Sequence, residues 1–400
     1  MTTLRAVSMV VANTFATDTR VRREASTLAN SGFDVQVLCW DREGRRPAVE
    51  RIDQCLVHNM KFGRTTVLVS SRLYYLMAAL CFQAISFLWV IRTIAKARAL
   101  ILHAHDFNTL LGCVAVRQLL KDRVRLVYDC HELTPGAYEE WYGSLVAGIV
   151  GRLELALISR VDAVVAANQA ISNYLSQKAT VPVVVIYCCP ATWEIPQIHQ
   201  LAARRKLGLL PAFMVLFSGR ARQDYDLAMI LDAARDLKRD SPSDFRFVFT
   251  GPAETMAPLI NTAVSEDIES LFDFRGWVPS EDLLSYYMAS DLCFAVTRDI
   301  GPNTKVLTPI KLFESMACGV PVVVRDGTLA AEITRKWGCG IVIQNARTRF
   351  STELMRLKGN QQLLRALGNA GRKAFLTEYN WDRMQAILLH LYTGLEFAGN

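Results

Sequence analysis

The amino-acid sequence predicts an α/β protein made of two doubly wound, Rossmann-like domains. Three observations lead there. The chain has 400 residues, more than one ordinary hydrophobic core accommodates. Short β-rich runs alternate along it with helical stretches, the pattern of parallel strands joined by crossover helices. The alternation breaks once, between Cys188 and Leu207, where Cys-Cys-Pro leads into a segment without clear period. The break divides the chain into an expected first domain over 1–195 and a second over 205–380, facing each other across a ligand cleft.

In the first half, runs 5–12, 34–39, 100–103, 125–129, 163–167 and 183–187 read as strands. Segment 19–31 reads as a helix, with Val21, Ala25 and Leu28 at core-facing spacing and Gly32 just past its end. In the second half, strands are expected at 213–218, 245–250, 272–274, 291–296, 321–324 and 340–343. A helix over 227–237 follows the first of these. Another begins at Pro309, a residue suited to a helix start, and Gly319-Val320-Pro321 closes it and enters the next strand.

Apolar residues at 51% and charged residues at 21% exclude disorder, collagen and a coiled-coil rod. The ten cysteines form no Cys-x-x-Cys pair and are too sparse for a disulfide scaffold. They read as reduced thiols of a cytoplasmic protein. The net charge is +7, and residues 42–125 hold 14 basic against 5 acidic side chains. Such an excess attracts phosphates on an anionic membrane or a phosphorylated substrate. Nucleic acid is not expected, because no recognition motif accompanies the patch and no aromatics interleave with it.

Inside this basic region, residues 73–91 are 19 uncharged residues in a row, long enough for a membrane span. Basic flanks on both sides and the absence of a second such segment argue for a buried helix or one lying in the membrane interface. The run from Val7 to Ala12 is too short for a signal peptide and reads as a strand.

Ligands of open α/β sheets bind beyond the carboxyl ends of the strands. Those ends carry His103-Ala104-His105-Asp106 and Asp129-Cys130-His131-Glu132 in the first half. A histidine there can serve as a general base near neutral pH, or can simply satisfy buried polar contacts. The spacing is not that of a zinc site, so no metal is expected. In the second half, Ser218-Gly219-Arg220-Ala221-Arg222 lies between a strand and a helix, where close backbone approach and a guanidinium suit a diphosphate. After Pro309, Lys311, Glu314 and Ser315 fall on one helix face. A carboxylate there can accept from a ribose diol, and the lysine can meet a phosphate.

This last stretch, with Gly219-Arg220 and the run from Phe274 to Asp291, resembles the retaining, nucleotide-sugar-dependent glycosyltransferases of family 4. So do the run from Asp18 to Ala25, the His103 to Asp106 cluster and the Asp129 to Glu132 cluster, in the family's order over nearly the whole chain. The resemblance implies the GT-B fold, an acceptor-side first domain, a nucleotide-sugar-binding second domain, and a last helix over 381–397 that brings 381–400 back onto the first. Position by position, it implies that Glu314 binds the ribose as the second glutamate of an E-x7-E signature. Gly219 and Arg220 would hold the diphosphate, aided by Arg222 or Lys311. His131 would stand close to the donor sugar, with His105, Asp106 and Glu132 on the acceptor side.

Three positions depart from the family pattern. Val306 replaces the first glutamate of E-x7-E, leaving the sugar hydroxyls to Asn303, Lys305 or backbone amides. Asp226 occupies the position of the family's lysine, and Ala12-Asn13-Thr14-Phe15 stands where a glycine-rich loop is usual. The expected activity is transfer of a hexose-type unit to an acceptor hydroxyl with retention, without metal or cofactor. The basic, apolar first domain implies a lipid-linked or polysaccharide-precursor acceptor and peripheral contact with the inner membrane face. The alternatives are a non-catalytic partner subunit and a sugar-nucleotide 2-epimerase.

Overall fold

A computed structural model of the chain describes residues 5–61, 72–94, 100–209, 211–241, 243–344 and 350–395. The chain folds as two compact units, one comprising Met1–Cys188, Gly301–Asn303 and Met384–Asn400, the other Cys189–Ile300 and Thr304–Arg383.

The first unit is built on β1 (Ala6–Val11), β2 (Asp34–Trp40), β3 (Val49–Ile52), β4 (Cys55–Met60), β5 (Leu100–His105), β6 (Val124–Cys130), β7 (Ala163–Ala166) and β8 (Val183–Val185). They form one sheet in the order β3-β4-β2-β1-β5-β6-β7-β8, parallel except for the β3–β4 pair. The β3–β4 hairpin is absent from the sequence reading. Its turn uses Asp53 and Gln54, both at positive φ, in place of the Asn-Gly or Asp-Gly pair that marks such turns. The strand expected over 100–103 runs on to His105, and all six of its residues are buried. Both histidines therefore lie within the sheet, with only Asp106 beyond its end.

Helix α1 (Thr19–Asn30) starts at Asp18, whose carboxylate accepts from the Val21 amide at 3.2 Å. Its buried face includes Val21, Ala25 and Leu28, but also Arg20 and Glu24. Helix α2 (Arg72–Ile94) contains the long apolar run. It is neither buried all round nor a span: no helix among the described residues is long and apolar enough to cross a membrane. Ala78, Ala79, Phe82, Ser86 and Val90 are buried, whereas Met77, Leu80 and Leu88 are 53%, 49% and 55% exposed. The inner face docks on α3 (Phe107–Leu120), where the Gly112 amide donates to Gln83 Oε1 at 2.8 Å. A Cβ on Gly112 would lie 2.6 Å from the Gln83 carbonyl oxygen, so only glycine permits this approach. Phe82 stacks on Trp40 at 6.0 Å. Helices α4 (Thr134–Tyr142) and α5 (Ser144–Ile158) follow β6, and α5 exposes Leu145, Ile149 and Leu153. Residues 62–71 and 95–99, which carry part of the basic excess, lie outside the described residues.

The second unit holds β9 (Phe213–Ser218), β10 (Phe245–Thr250), β11 (Phe272–Phe274), β12 (Leu292–Phe294), β13 (Val322–Arg325) and β14 (Gly340–Ile343). This parallel sheet has the order β11-β10-β9-β12-β13-β14, so its direction of winding reverses at β9. Phenylalanines at 213, 217, 245, 247, 249, 272 and 294 fill its core. Helix α6 (Ile310–Cys318) starts after Pro309 and ends at Gly319, left-handed at φ 67°. The last helix, α7 (Trp381–Gly394), supplies Tyr392 to the first unit. Phe397, placed in that helix by the sequence, lies outside the described residues.

Candidate active site

In the first unit, α1 delivers two charged side chains, Arg20 and Glu24, into the interior. Arg20 grips Asp129 with two hydrogen bonds, Nε to Oδ2 at 3.0 Å and Nη2 to Oδ1 at 2.6 Å. Its Nη1 donates to the Ile186 carbonyl at 2.5 Å. One turn on, Glu24 Oε1 lies 3.3 Å from Arg20 Nε. His131 Nε2 sits 2.7 Å from Asp129 Oδ2, and His131 Nδ1 sits 3.2 Å from Asp106 Oδ2. His105 Nδ1 meets the same Asp129 oxygen at 3.1 Å, while His103 stacks on His105 at 4.2 Å and reaches the Tyr392 hydroxyl at 2.7 Å.

Burial sets the charges of this cluster. It raises the Glu24 carboxyl to about 8, helped by Asp129 and opposed by Arg20. It likewise disfavours the charged forms of His103 and His105, which are held below the ordinary histidine value. Burial also opposes ionisation of Asp129, but Arg20 and then His131 outweigh it and keep the carboxyl well below the usual range. For His131, burial works against protonation, yet Asp106 and Asp129 prevail and hold it at about 10. Glu24, His103, His105 and Asp129 bring ligand-type atoms within 4.8 Å of one another. Arg20 already supplies a cation to both carboxylates there.

In the second unit, glycines at positive φ follow three neighbouring strands: Gly219 after β9, Gly251 after β10 and Gly276 after β11. Gly251 packs so tightly that a Cβ there would lie 2.2 Å from the Gly219 carbonyl oxygen. The Gly219 amide donates to Thr250 at 2.7 Å, and the Gly251 amide donates to Gly276 at 2.7 Å. These turns leave Arg220 exposed, its side chain with no hydrogen bond or ion pair among the described residues. Arg222 is also exposed and lies 3.5 Å from Asp224. On α6, Glu314 accepts from the Tyr287 hydroxyl at 2.6 Å, and that hydroxyl lies 2.5 Å from Ser218 Oγ.

Residues 16–189 match the family of glycosyl transferase 4-like domains, and residues 200–374 match the group 1 glycosyl transferases. The chain belongs to the family 4 type of glycosyltransferase. Sucrose-phosphate synthase from Thermosynechococcus elongatus is similar in structure, with 17% identity and a TM-score of 0.79 over 98% of this chain and 99% of that one. HepE from Anabaena, solved in complex with UDP, gives 14% identity and a TM-score of 0.71 over 98% and 100%. The α,α-trehalose 6-phosphate synthase of Burkholderia multivorans gives 11% and 0.69 over 99% and 99%. At these identities the likeness shows the fold, which is GT-B. No curated protein matches the sequence.

Within this glycosyltransferase, the sequence-predicted residues fall into distinct settings. His131, Asp106 and Asp129 come together in the first unit, and Gly219, Arg220 and Glu314 cluster near the end of β9 in the second. His105 is a correction: it is wholly buried inside β5 and binds Asp129, so it does not face an acceptor. Glu132 is exposed beside His131. The polar face expected for α6 is also corrected. Lys311 and Ser315 are buried, Ser315 Oγ donates to the Val320 carbonyl at 2.7 Å, and Lys311 Nζ lies 3.7 Å from the Tyr225 ring centre and 4.6 Å from that of Phe217. Asn303 Oδ1 accepts from the Leu133 amide at 3.1 Å, and exposed Lys305 lies 3.6 Å from Asp299. Asp226 pairs with Arg325.

The roles of Arg20, Glu24, Tyr287 and Arg325 were missed. For the first two a signal existed, since both share the core-facing stripe of α1 with Val21, Ala25 and Leu28. A charged residue on such a stripe needs a buried partner.

Proposed function

We propose that the enzyme transfers a hexose-type unit from a nucleoside-diphosphate sugar to an acceptor hydroxyl with retention of configuration. The observation that carries this reading is Arg220, an exposed guanidinium without a partner among the described residues, presented by the glycine turns at the end of β9. Negative charge grows on a diphosphate as its bond to the sugar breaks, so a fixed cation there lowers the barrier. The amino terminus of α6 adds positive potential, and Arg222 adds a second exposed guanidinium. Glu314, oriented by Tyr287, supplies two acceptor oxygens for a ribose diol. The family resemblance gives His131 the role of organising the donor sugar. No cofactor enters this scheme, and the cations that carry the charge belong to the chain.

UDP-glucose is the first donor to test, since HepE was solved with both UDP and UDP-glucose. A thermal-shift panel of UDP-, GDP- and ADP-sugars would find the donor, because ligand at about 100 times its Kd adds about 2.7 kcal/mol of stability. Transfer assays in the presence of EDTA complete the test. Donor binding without turnover across many acceptors would favour a non-catalytic GT-B subunit, a reading supported by the pairing of Asp226, at the family's lysine position, with Arg325.

For the acceptor, we propose a lipid-linked glycan met at an anionic membrane surface. The outward stripe Met77, Leu80 and Leu88 on α2 and the apolar face of α5 support it, together with the basic excess around α2.

A further inference from the structure

We propose that His131 is held as a permanent imidazolium in a clamp of two carboxylates, Asp106 on Nδ1 and Asp129 on Nε2, and serves transfer as a fixed cation, never as a general base. The inference rests on the role toward the donor sugar proposed above for His131.

Each ring nitrogen of His131 faces a carboxylate, and Nε2 also lies 3.3 Å from His105 Nδ1. Asp129 Oδ2 faces Nε2 at 2.7 Å and Asp106 Oδ2 faces Nδ1 at 3.2 Å. The Asp129 contact is a hydrogen bond and the Asp106 contact an ion pair; an anion at each ring nitrogen favours a proton on both, and both carry one only in the charged ring. A neutral ring would aim a lone pair at one of the two anions. Asp106 is committed to this task twice over, because its Oδ1 also accepts from the His131 backbone amide at 3.0 Å.

The backbone of Asp106 is distorted to the same end. It sits at φ 62° and ψ 162°, a region that residues with a side chain avoid and that persists only where surrounding contacts enforce it. Those contacts are its amide donating to the Asp129 carbonyl at 2.8 Å and its carbonyl accepting from Thr109 Oγ1 at 3.1 Å. Residues in sparsely populated backbone regions concentrate at functional sites.

Among the charged neighbours Arg20 opposes the assignment, and the carboxylates of Asp106 and Asp129 prevail over it. Helix α1 presents Asp18, Arg20 and Glu24, strand β5 presents His103 and His105, and β6 presents Asp129. Arg20 and His131 balance Asp106 and Asp129, leaving Asp18 as one further carboxylate, provided that Glu24 stays protonated and the two strand histidines stay neutral. Burial favours those forms at neutral pH, and the two carboxylates hold the His131 imidazolium up to about 10. Charged in this way, His131 has no lone pair to take the acceptor's proton, which must pass to another group.

Ring-nitrogen NMR on the full chain with 15N-labelled histidine tests the clamp directly, with His131→Gln assigning the signal among the six histidines. The expected result is an imidazolium pattern for His131 that persists beyond pH 8. Asp106→Asn, at a partly exposed site where the amide-binding oxygen is kept, should lower its pKa by about one unit or more. Asp129→Asn should lower it further, and if that variant does not fold, Asp106→Asn still decides. Titration of wild-type His131 near the ordinary 6.5, or no shift in Asp106→Asn, overturns the proposal. The readout needs no substrate. Failure of every donor with a charged His131 would sink the proposed transfer alone, whereas transfer that requires a neutral His131 would sink the clamp alone.

Discussion

Arg20 and Asp129 are 109 residues apart in sequence and meet through two parallel hydrogen bonds, at 3.0 and 2.6 Å, inside the first unit. A guanidinium fork on a carboxylate fixes distance and plane together. It therefore locks α1 against β6 at the level where β6 ends and His131 begins. The orientation of His131 is thus set, through Asp129, by a residue on a different element. Removing either partner would strand a buried charge.

Glu24 offers a test of how this cluster is charged. Its folded value of about 8 lies above the ordinary 4.5, so the folded state retains a proton that the unfolded chain releases. Stability should then fall as pH rises through that window. Glu24→Gln mimics the protonated form and has no proton to lose. Its melting temperature relative to wild type should climb between pH 6 and 8.5, and a constant difference would show that Glu24 is ionised throughout.

Arg220 should govern donor use without governing the fold, since it is exposed and leaves no partner behind among the described residues. Arg220→Ala should reduce transfer on the order of 100-fold, the effect of losing one or two charge-assisted hydrogen bonds. Arg220→Lys should recover part of this, because a point charge replaces a fork. Full recovery in steady-state kinetics would mean that charge alone suffices.

Glu314 and Tyr287 should act as a pair. Glu314→Ala should weaken donor-dependent activity about 100-fold or more through two lost hydrogen bonds of roughly 1.5–3 kcal/mol each. Tyr287→Phe removes the 2.6 Å bond that orients the carboxylate and should cost a smaller factor, about tenfold. Isothermal titration with the donor nucleotide would check both. Unchanged affinity in Glu314→Ala removes this residue from the site.

The outer face of α2 should decide vesicle binding. Flotation with anionic vesicles at low salt should carry the protein upward, and binding should weaken as salt rises, each basic residue at the surface contributing about 1 kcal/mol. Leu80→Asp and Leu88→Asp place charge on an exposed face and should abolish flotation while leaving the melting temperature nearly unchanged. Absence of wild-type binding at low salt would make the acceptor soluble.

Much of the second unit was legible because its signals are local. The Phe-rich strands 213–218 and 245–250 have the expected bounds, since strands buried on both faces read as continuous apolar runs. Gly219-Arg220 was visible for a similar reason, as a turn residue beside a charge at a strand end. Lys311 and Ser315 were misplaced because helical spacing names a shared face without saying what covers it. In the folded chain, the rings of Tyr225 and Phe217 enclose Lys311, and the Val320 carbonyl engages Ser315.

The sequence by itself determined the alternation of strands and helices, the two-part organisation of the reading and the side chains available at the strand ends. These depend on periodicity and turn chemistry over a few residues, which any window of the chain reveals. Only the tertiary structure decided that His105 is interior while His131 is reachable, that Asp106 and Asp129 flank one imidazole, and that Arg20 grips Asp129. Each of these is a contact between elements far apart in the chain, and the charge on His131 follows from their summed fields. Electrostatic energy depends on distance and burial, and neither is written in the order of residues.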